Sequence, residues 1–332
     1  MKSIASFFLL TLLSITSVFC RKQIGSTIVD NVRYKLYDDG KATIYGVTKS
    51  YIAALTIPPS ITYNNRSYSI SEIAADSFKG KEITDITILG NNSGLLIKEN
   101  AFNGIRVFKN FYIYSPYVDV ELGGFNNIGN YVQFMGSGSR YATDRYAEKL
   151  LKQWGLPVRK NYKYVNDWDR MKDLFTLAKN FQRTFGHYDK VAYPDNAVNV
   201  MFVGAGSTNG LARLYKVFAM NMGIEYNELM AGCDNIHKCW NYVLVDIDEG
   251  KKWYVIDAKE KIGDNTNWNL SAFKKESKIL PYLNKFYGET VDPHDFVVLN
   301  LIYNYPGETR FNIDAINFDE WLQGNSDYGR TL

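Results

Sequence analysis

Ile73-Ala74-Ala75-Asp76-Ser77-Phe78-Lys79-Gly80 returns one period later as Ile97-Lys98-Glu99-Asn100-Ala101-Phe102-Asn103-Gly104. A looser third copy runs Val120-Glu121-Leu122-Gly123-Gly124-Phe125. The aliphatic position, at Ile73, Ile97 and Val120, recurs after about 24 and then about 23 residues, the period of a stacked repeat. Short β-rich runs lie between the copies: Leu55-Thr56-Ile57, Ile86-Thr87-Ile88 and Phe111-Tyr112-Ile113. A unit this small hides its aliphatic and Phe positions only against its neighbours, so the core must run along the stack. Ile73, Phe78, Ile97, Phe102, Val120 and Phe125 are the expected core of that stack. The alternative, an ordinary β-rich domain, has to produce two closely similar octets by coincidence.

Ahead of the repeats, residues 28–46 read as a β-hairpin. Val32, Tyr34 and Leu36 alternate up to Asp39-Gly40, a favoured tight-turn pair, and Ala42, Ile44 and Gly46 follow. The series Thr56-Ile57-Pro58, Tyr68-Ser69-Ile70 and Ile73 with Ser77-Phe78 resembles the BspA-type leucine-rich repeats of microbial surface proteins. That resemblance spans about residues 28–140 and is sharpest over 55–105. It implies a solenoid for adhesion or protein binding rather than chemistry.

At the N-terminus Lys2 precedes an apolar run from Ile4 to Phe19, and Arg21 and Lys22 follow. This is the pattern of a secretory signal peptide over residues 1–20, with cleavage near Cys20. A lipid anchor on Cys20 is the alternative, and bulky Phe19 argues against it. No second run suggests a membrane span, so the expected location is secreted or cell-surface. In an oxidising compartment Cys233 and Cys239 become disulfide candidates, against two buried thiols. Asn65-Arg66-Ser67, Asn91-Asn92-Ser93 and Asn269-Leu270-Ser271 are glycan acceptors only in a host with the machinery.

The chain has 332 residues, enough for two domains of ordinary size. Its 46% hydrophobic share is that of a folded protein, and its net charge of +3 is too small to indicate a nucleic-acid partner. The 25 tyrosines can serve as core or as flat amphipathic surfaces that stack on sugars or peptides. Three scattered histidines lack paired ligand spacing, so no metal is expected, nor any cofactor. Gly204-Ala205-Gly206-Ser207-Thr208-Asn209-Gly210 lacks the lysine a phosphate loop requires.

Beyond residue 140 the texture becomes helical. One helix is expected from Asp144 as cap to Gly155, and another over 168–185 with Asp167 as cap. A third is expected from about Asn209 to Met222. Strands follow from Trp240 to Val245 and from Lys252 to Asp257, with less distinct helices at 271–287 and 319–322. Helices followed by an antiparallel sheet indicate an α+β domain over 144–332.

Gly206-Ser207-Thr208-Asn209-Gly210-Leu211-Ala212-Arg213, Met222-Gly223-Ile224, Trp240-Asn241-Tyr242-Val243 and Trp253-Tyr254-Val255-Ile256-Asp257 resemble the transglutaminase-like (papain-like) core over about residues 165–260. The resemblance implies a nucleophilic Cys at a helix start, a His two residues before the Trp, and an Asp that orients the His. A helix N-terminus favours thiolate, and the imidazolium pairs with it. Here the Cys position holds Thr208 and the His position holds Lys238, while Asp257 matches. His237 is one residue off, which on a strand faces the opposite side unless a bulge intervenes. Cys239 lies on the strand and lacks the helix dipole.

Gly206, Gly210, Trp240, Asn241, Trp253 and Tyr254 are then the legible remains of the cleft. Thr208 reads as a helix-capping hydroxyl and Lys238 as a solvated charge. The expected fold is thus α+β: a short β-rich leucine-rich-repeat solenoid, then a transglutaminase-like domain. The expected function is binding of a protein, peptide or glycan at the cell surface by a catalytically inactive domain. One alternative is a hydrolase or acyltransferase that uses Thr208 with Lys238 or His237. Another makes the second domain a structural cap on the repeats.

Overall fold

The computed structural model describes residues 21–91, 94–106, 108–159, 164–188, 190–233, 238–246, 251–256, 297–308 and 315–317. It opens with a meander of β1 (Gln23–Val29), β2 (Val32–Tyr37) and β3 (Lys41–Val47). Asp30 and Asn31, at φ 49° and 67°, turn β1 into β2, and Asp39-Gly40 turns β2 into β3. The expected hairpin is therefore flanked by a further N-terminal strand, β1, whose half-exposed residues carry little hydrophobic signal.

The repeat region builds two sheets. One runs β3, β6 (Arg66–Ile73), β8 (Leu95–Ile97) and β10 (Val118–Val120), all parallel. The other runs β4 (Tyr51–Ile57), β7 (Glu82–Ile88), β9 (Asn110–Ile113) and β11 (Gln133–Met135), also parallel. β5 (Ser60–Tyr63) pairs antiparallel with β6. Each repeat gives one strand to each sheet, and the space between them is filled by the repeated side chains. Ile73, Ile97 and Val120 are fully buried, and Phe78, Phe102 and Phe125 form a stack with centroids 5.1 and 5.2 Å apart.

The turns that carry this stack have their own register. Asp76, Asn100 and Gly123 all take left-handed φ of 56°, 60° and 79°. Asp, Asn and Gly are the residues that adopt this region at least cost. The Asp76 amide donates to Asn100 O (3.1 Å) and the Asn100 amide to Gly123 O (3.0 Å), so successive turns are laddered together. Gly80, Gly104 and Asn127 form a second such series at φ 67°, 68° and 55°.

The second lobe follows without a break in the hydrophobic core. Its elements are α1 (Ser139–Gln153), α2 (Asp167–Thr184), β12 (Gly186–His187), α3 (Ala197–Val203), β13 (Ala205–Gly206) and α4 (Thr208–Asn221). A five-stranded antiparallel sheet then forms in the order β16 (Lys251–Ile256), β15 (Cys239–Asp246), β14 (Leu229–Cys233), β17 (Val297–Leu299), β18 (Ala315–Asn317). From Gly210 to Met220 every residue of α4 is buried, as befits a helix enclosed between the sheet and α1 to α3.

Three helix starts differ from the sequence reading. α1 begins at Ser139, not at Asp144, because Gly138 packs against the Ser115 carbonyl where a Cβ would lie 2.2 Å from its oxygen. Asp144 is instead inside the helix. It accepts from the Tyr303 hydroxyl (2.8 Å) and Asn221 Nδ2 (3.2 Å), while desolvation pushes its carboxyl above the usual range. α2 is capped by Asn166, whose side chain accepts from the Asp169 amide, rather than by Asp167. α4 is capped by Ser207, one residue before Thr208. The predicted helices at 271–287 and 319–322 lie outside the described residues.

The second lobe closes the open end of the solenoid. From α1, Arg145 donates to the Pro116 (2.7 Å) and Val118 carbonyls, and Lys149 reaches Asp119 (2.7 Å) and Val120 O (2.6 Å) on β10. From α3, Phe202 packs on Phe125 and Phe134 with centroids 4.9 and 5.0 Å apart. Asn199 accepts from the Phe134 amide (2.9 Å) and donates to Val132 O (2.5 Å) and Ala192 O (3.2 Å). Among the described residues no helix is long and apolar enough to cross a membrane.

Candidate functional site: the start of helix α4

Three local devices fix the start of α4. Gly204, left-handed at φ 85°, ends α3, and the two-residue strand β13 pairs with β12. Ser207 Oγ then caps α4 by accepting from the Gly210 amide (3.2 Å), and it donates to Asp195 Oδ1. Gly206 and Gly210 are required by close approach. A Cβ on Gly206 would lie 2.3 Å from Val200 Cγ2, and one on Gly210 would lie 2.1 Å from Pro194 O. Gly210→Ala is therefore expected to cost about 2 kcal/mol in chemical denaturation, although alanine is the better helix former. A variant at least as stable as the parent would show that the 193–196 loop yields instead.

Thr208 is the first residue of α4, and its hydroxyl accepts from the Cys239 amide at 3.3 Å. The side chain is thus turned toward the start of β15, the place where the resemblance puts the base-bearing strand. It bridges helix and sheet rather than capping its own helix. Directly beside it a disulfide joins Cys233 to Cys239 across the β14–β15 pair, packed on Ala212, Ala231 and Leu299. Both thiols are consumed, so no described cysteine offers a thiolate.

Asn241, fully buried, donates to Ala212 O (2.8 Å) and Met230 O (3.4 Å) and so clips β15 to α4 and β14. Trp240 and Trp253 are partly buried against the core, with Trp253 on β16. Tyr254 pairs with Val243 across β15 and β16. Lys238 is exposed immediately before β15. His237 and Asp257 lie outside the described residues. Among those described, no group of His, Cys, Asp and Glu could hold a metal ion.

Sequence reasoning did not single out the buried cations of α4. Arg213, with none of its surface exposed, donates to Asn209 Oδ1 (2.6 Å) and to Leu301 O. Lys216 Nζ stands 3.5 Å from the centre of the Tyr226 ring. Arg213 thereby ties Leu301 to the helix and Lys216 rests on the Tyr226 ring, contacts that let charged residues survive in an enclosed position. A basic residue within an apolar helical pattern looks from sequence like a solvent-facing position, so this role carried no signal.

Removing the disulfide as Cys233→Ser with Cys239→Ser is expected to lower stability by about 2 kcal/mol, the loop-closure value for a short ring. Urea denaturation of the paired variant reads it. An unchanged midpoint would mean the β14–β15 ladder and Asn241 hold the hairpin unaided.

No protein-family model matches the chain, and no curated protein does. Among solved structures it is similar to a leucine-rich cell surface protein from Faecalibacterium prausnitzii, at 19% identity and TM-score 0.30, over 34% of this chain and 31% of that one. The chain thus spans about a third of that protein's length. It is also similar to a leucine-rich repeat protein from Bacteroides capillosus, at 16% identity and TM-score 0.21, over 33% of this chain and 99% of that one. The pneumococcal vaccine antigen PcpA is a third such neighbour, at 14% identity and TM-score 0.23, over 35% of this chain and 39% of that one.

Proposed function

We propose that the chain is an exported cell-surface binding protein: a leucine-rich-repeat solenoid over about 28–140, joined to a transglutaminase-like domain over 144–332 that performs no catalysis. The observation that carries the second half is the state of the cleft. An oxygen stands at the head of α4, it accepts the Cys239 amide, and the neighbouring sulfurs are paired. A hydroxyl needs a positioned base to attack, whereas a thiol at a helix start ionises with modest help. Lys238 is exposed immediately before β15 rather than enclosed beside the Thr208 hydroxyl.

Binding falls to the surface. The outer face of the β4-β7-β9-β11 sheet aligns Thr56, Thr87, Tyr112 and Met135 across four strands, with Tyr112 stacked on exposed Tyr114. Such a row of short polar and aromatic side chains on a rigid sheet suits a macromolecular partner.

The test is turnover. Purified protein offered a glutamine-bearing peptide, with and without a primary amine, is expected to release no ammonia and form no adduct. Activity that Thr208→Ala abolishes would establish the hydrolase or acyltransferase reading in its place.

A further inference from the structure

An open cavity of about 450 Å³ lies where the last solenoid strand meets the second lobe. Its walls are Gln133 of β11, the 193–196 loop and the 301–308 segment. It is separate from the α4–β15 contact, because Asp195 borders it from behind the Ser207 cap while Thr208 faces the sheet.

Gln133 is 8% exposed, and its side-chain amide has no hydrogen-bond partner among the described residues. The amide borders the open cavity, so its donor and its acceptor are both available to a ligand there. Across from it Asp195 spends only Oδ1, on the Ser207 hydroxyl, which leaves Oδ2 as an acceptor. Glu308 is different: both its carboxylate oxygens are taken by the amides of Tyr303 and Asn304, so it shapes the wall.

The rest of the lining is aromatic or neutral. Tyr193 is 47% exposed, and its loop is tied by the Ala192 amide to Asn130 O (2.7 Å), next to Tyr131, itself 73% exposed. Tyr305 lines the inner wall, its phenol pushed up by burial and by Glu308 nearby. No lysine or arginine is among the lining residues described.

We propose that this junction cavity is a saccharide-binding site for a neutral or N-acetylated sugar. An amide that both donates and accepts, opposite a carboxylate that only accepts, matches adjacent sugar hydroxyls, which do both. An exposed Tyr ring at the mouth offers a flat apolar face to the C–H side of a pyranose. The volume falls in the range of small-ligand pockets. The two carboxylates of the lining, Asp195 and Glu308, disfavour sialic and uronic acids and phosphates. This site is independent of the solenoid face, so either can fail alone.

The experiment is an array of neutral, N-acetylated and sialylated oligosaccharides, followed by calorimetry with the best binder, on the full exported chain. Saturable binding of a neutral or N-acetylated saccharide is expected, with sialylated forms at least tenfold weaker. Gln133→Leu and Tyr193→Asn should each weaken it at least tenfold, while Tyr51→Ala, on the distant edge strand β4, should leave it unchanged. Asn suits the left-handed backbone of Tyr193 at φ 53°, so that variant folds even where loss of Gln133 disturbs β11. No saturable saccharide binding, binding indifferent to Gln133 and Tyr193, or binding of a lysine-bearing peptide in place of any sugar would each overturn the proposal.

Discussion

Phe102→Ala is expected to cost about 4 kcal/mol, the range for removing a fully buried phenyl ring from a core that cannot collapse around the gap. Phe102 has none of its surface exposed and sits at the centre of the aromatic column. It stacks on Phe78 and Phe125 at 5.1 and 5.2 Å and meets the edge of Phe111 at 5.3 Å. The neighbouring turns are laddered backbone to backbone, Phe78 N to Ala101 O and Phe102 N to Gly124 O, so they cannot close over the cavity. In a stack each unit is stabilised by its two neighbours, and the middle ring therefore supports both interfaces. Guanidinium denaturation of the variant measures the loss. A cost below about 1.5 kcal/mol, the range for well-tolerated hydrophobic swaps, would mean the repeats slide together and the column is not the core.

Asn199→Leu is the second large effect. Leucine keeps the branched shape of asparagine but strands two buried groups, the Phe134 amide and the Val132 carbonyl, and the part-buried Ala192 carbonyl. At about 1–3 kcal/mol for each unsatisfied buried group, a total of about 4 kcal/mol is expected. The damage falls on the seam between the solenoid and the second lobe, so one unfolding transition should separate into two. Asn196, which donates to Phe134 O (3.4 Å), cannot replace the lost amide acceptor. Asn199→Asp should do no better, since it keeps the acceptor but sets a carboxylate against two carbonyl oxygens. Differential scanning calorimetry checks both variants. A single transition shifted by less than about 4 °C would show that the aromatic contacts of Phe202 carry the seam instead.

These two sites were unequally legible. The Phe102 column could be read from the sequence, because a stacked core forces the same residue type at the same phase of every unit. The strands on either side followed from their β-branched and aromatic runs. Asn199 could not be read, since no helix was expected over 197–203 and a polar residue shows no role until the strand it serves is in place. Gln133 was missed for the same reason: its significance lies in a cavity made by three segments far apart in the chain. Thr208 was placed near the start of a helix, yet its hydroxyl turned out to bridge to Cys239 while Ser207 caps.

Periodicity along the chain determined the repeats, their strand-and-turn form and the residues between the two sheets, because those interactions are local and recur at a fixed interval. That a hydroxyl rather than a thiol stands at the start of α4 was equally a matter of which atoms the sequence supplies. Tertiary structure alone decided that the second lobe seals the solenoid and that Cys233 and Cys239 close a bond beside Thr208. It alone set the Gln133 side chain facing an acidic, aromatic-walled cavity. Buried polar groups derive their roles from partners brought together by folding, and no one-dimensional pattern encodes that convergence.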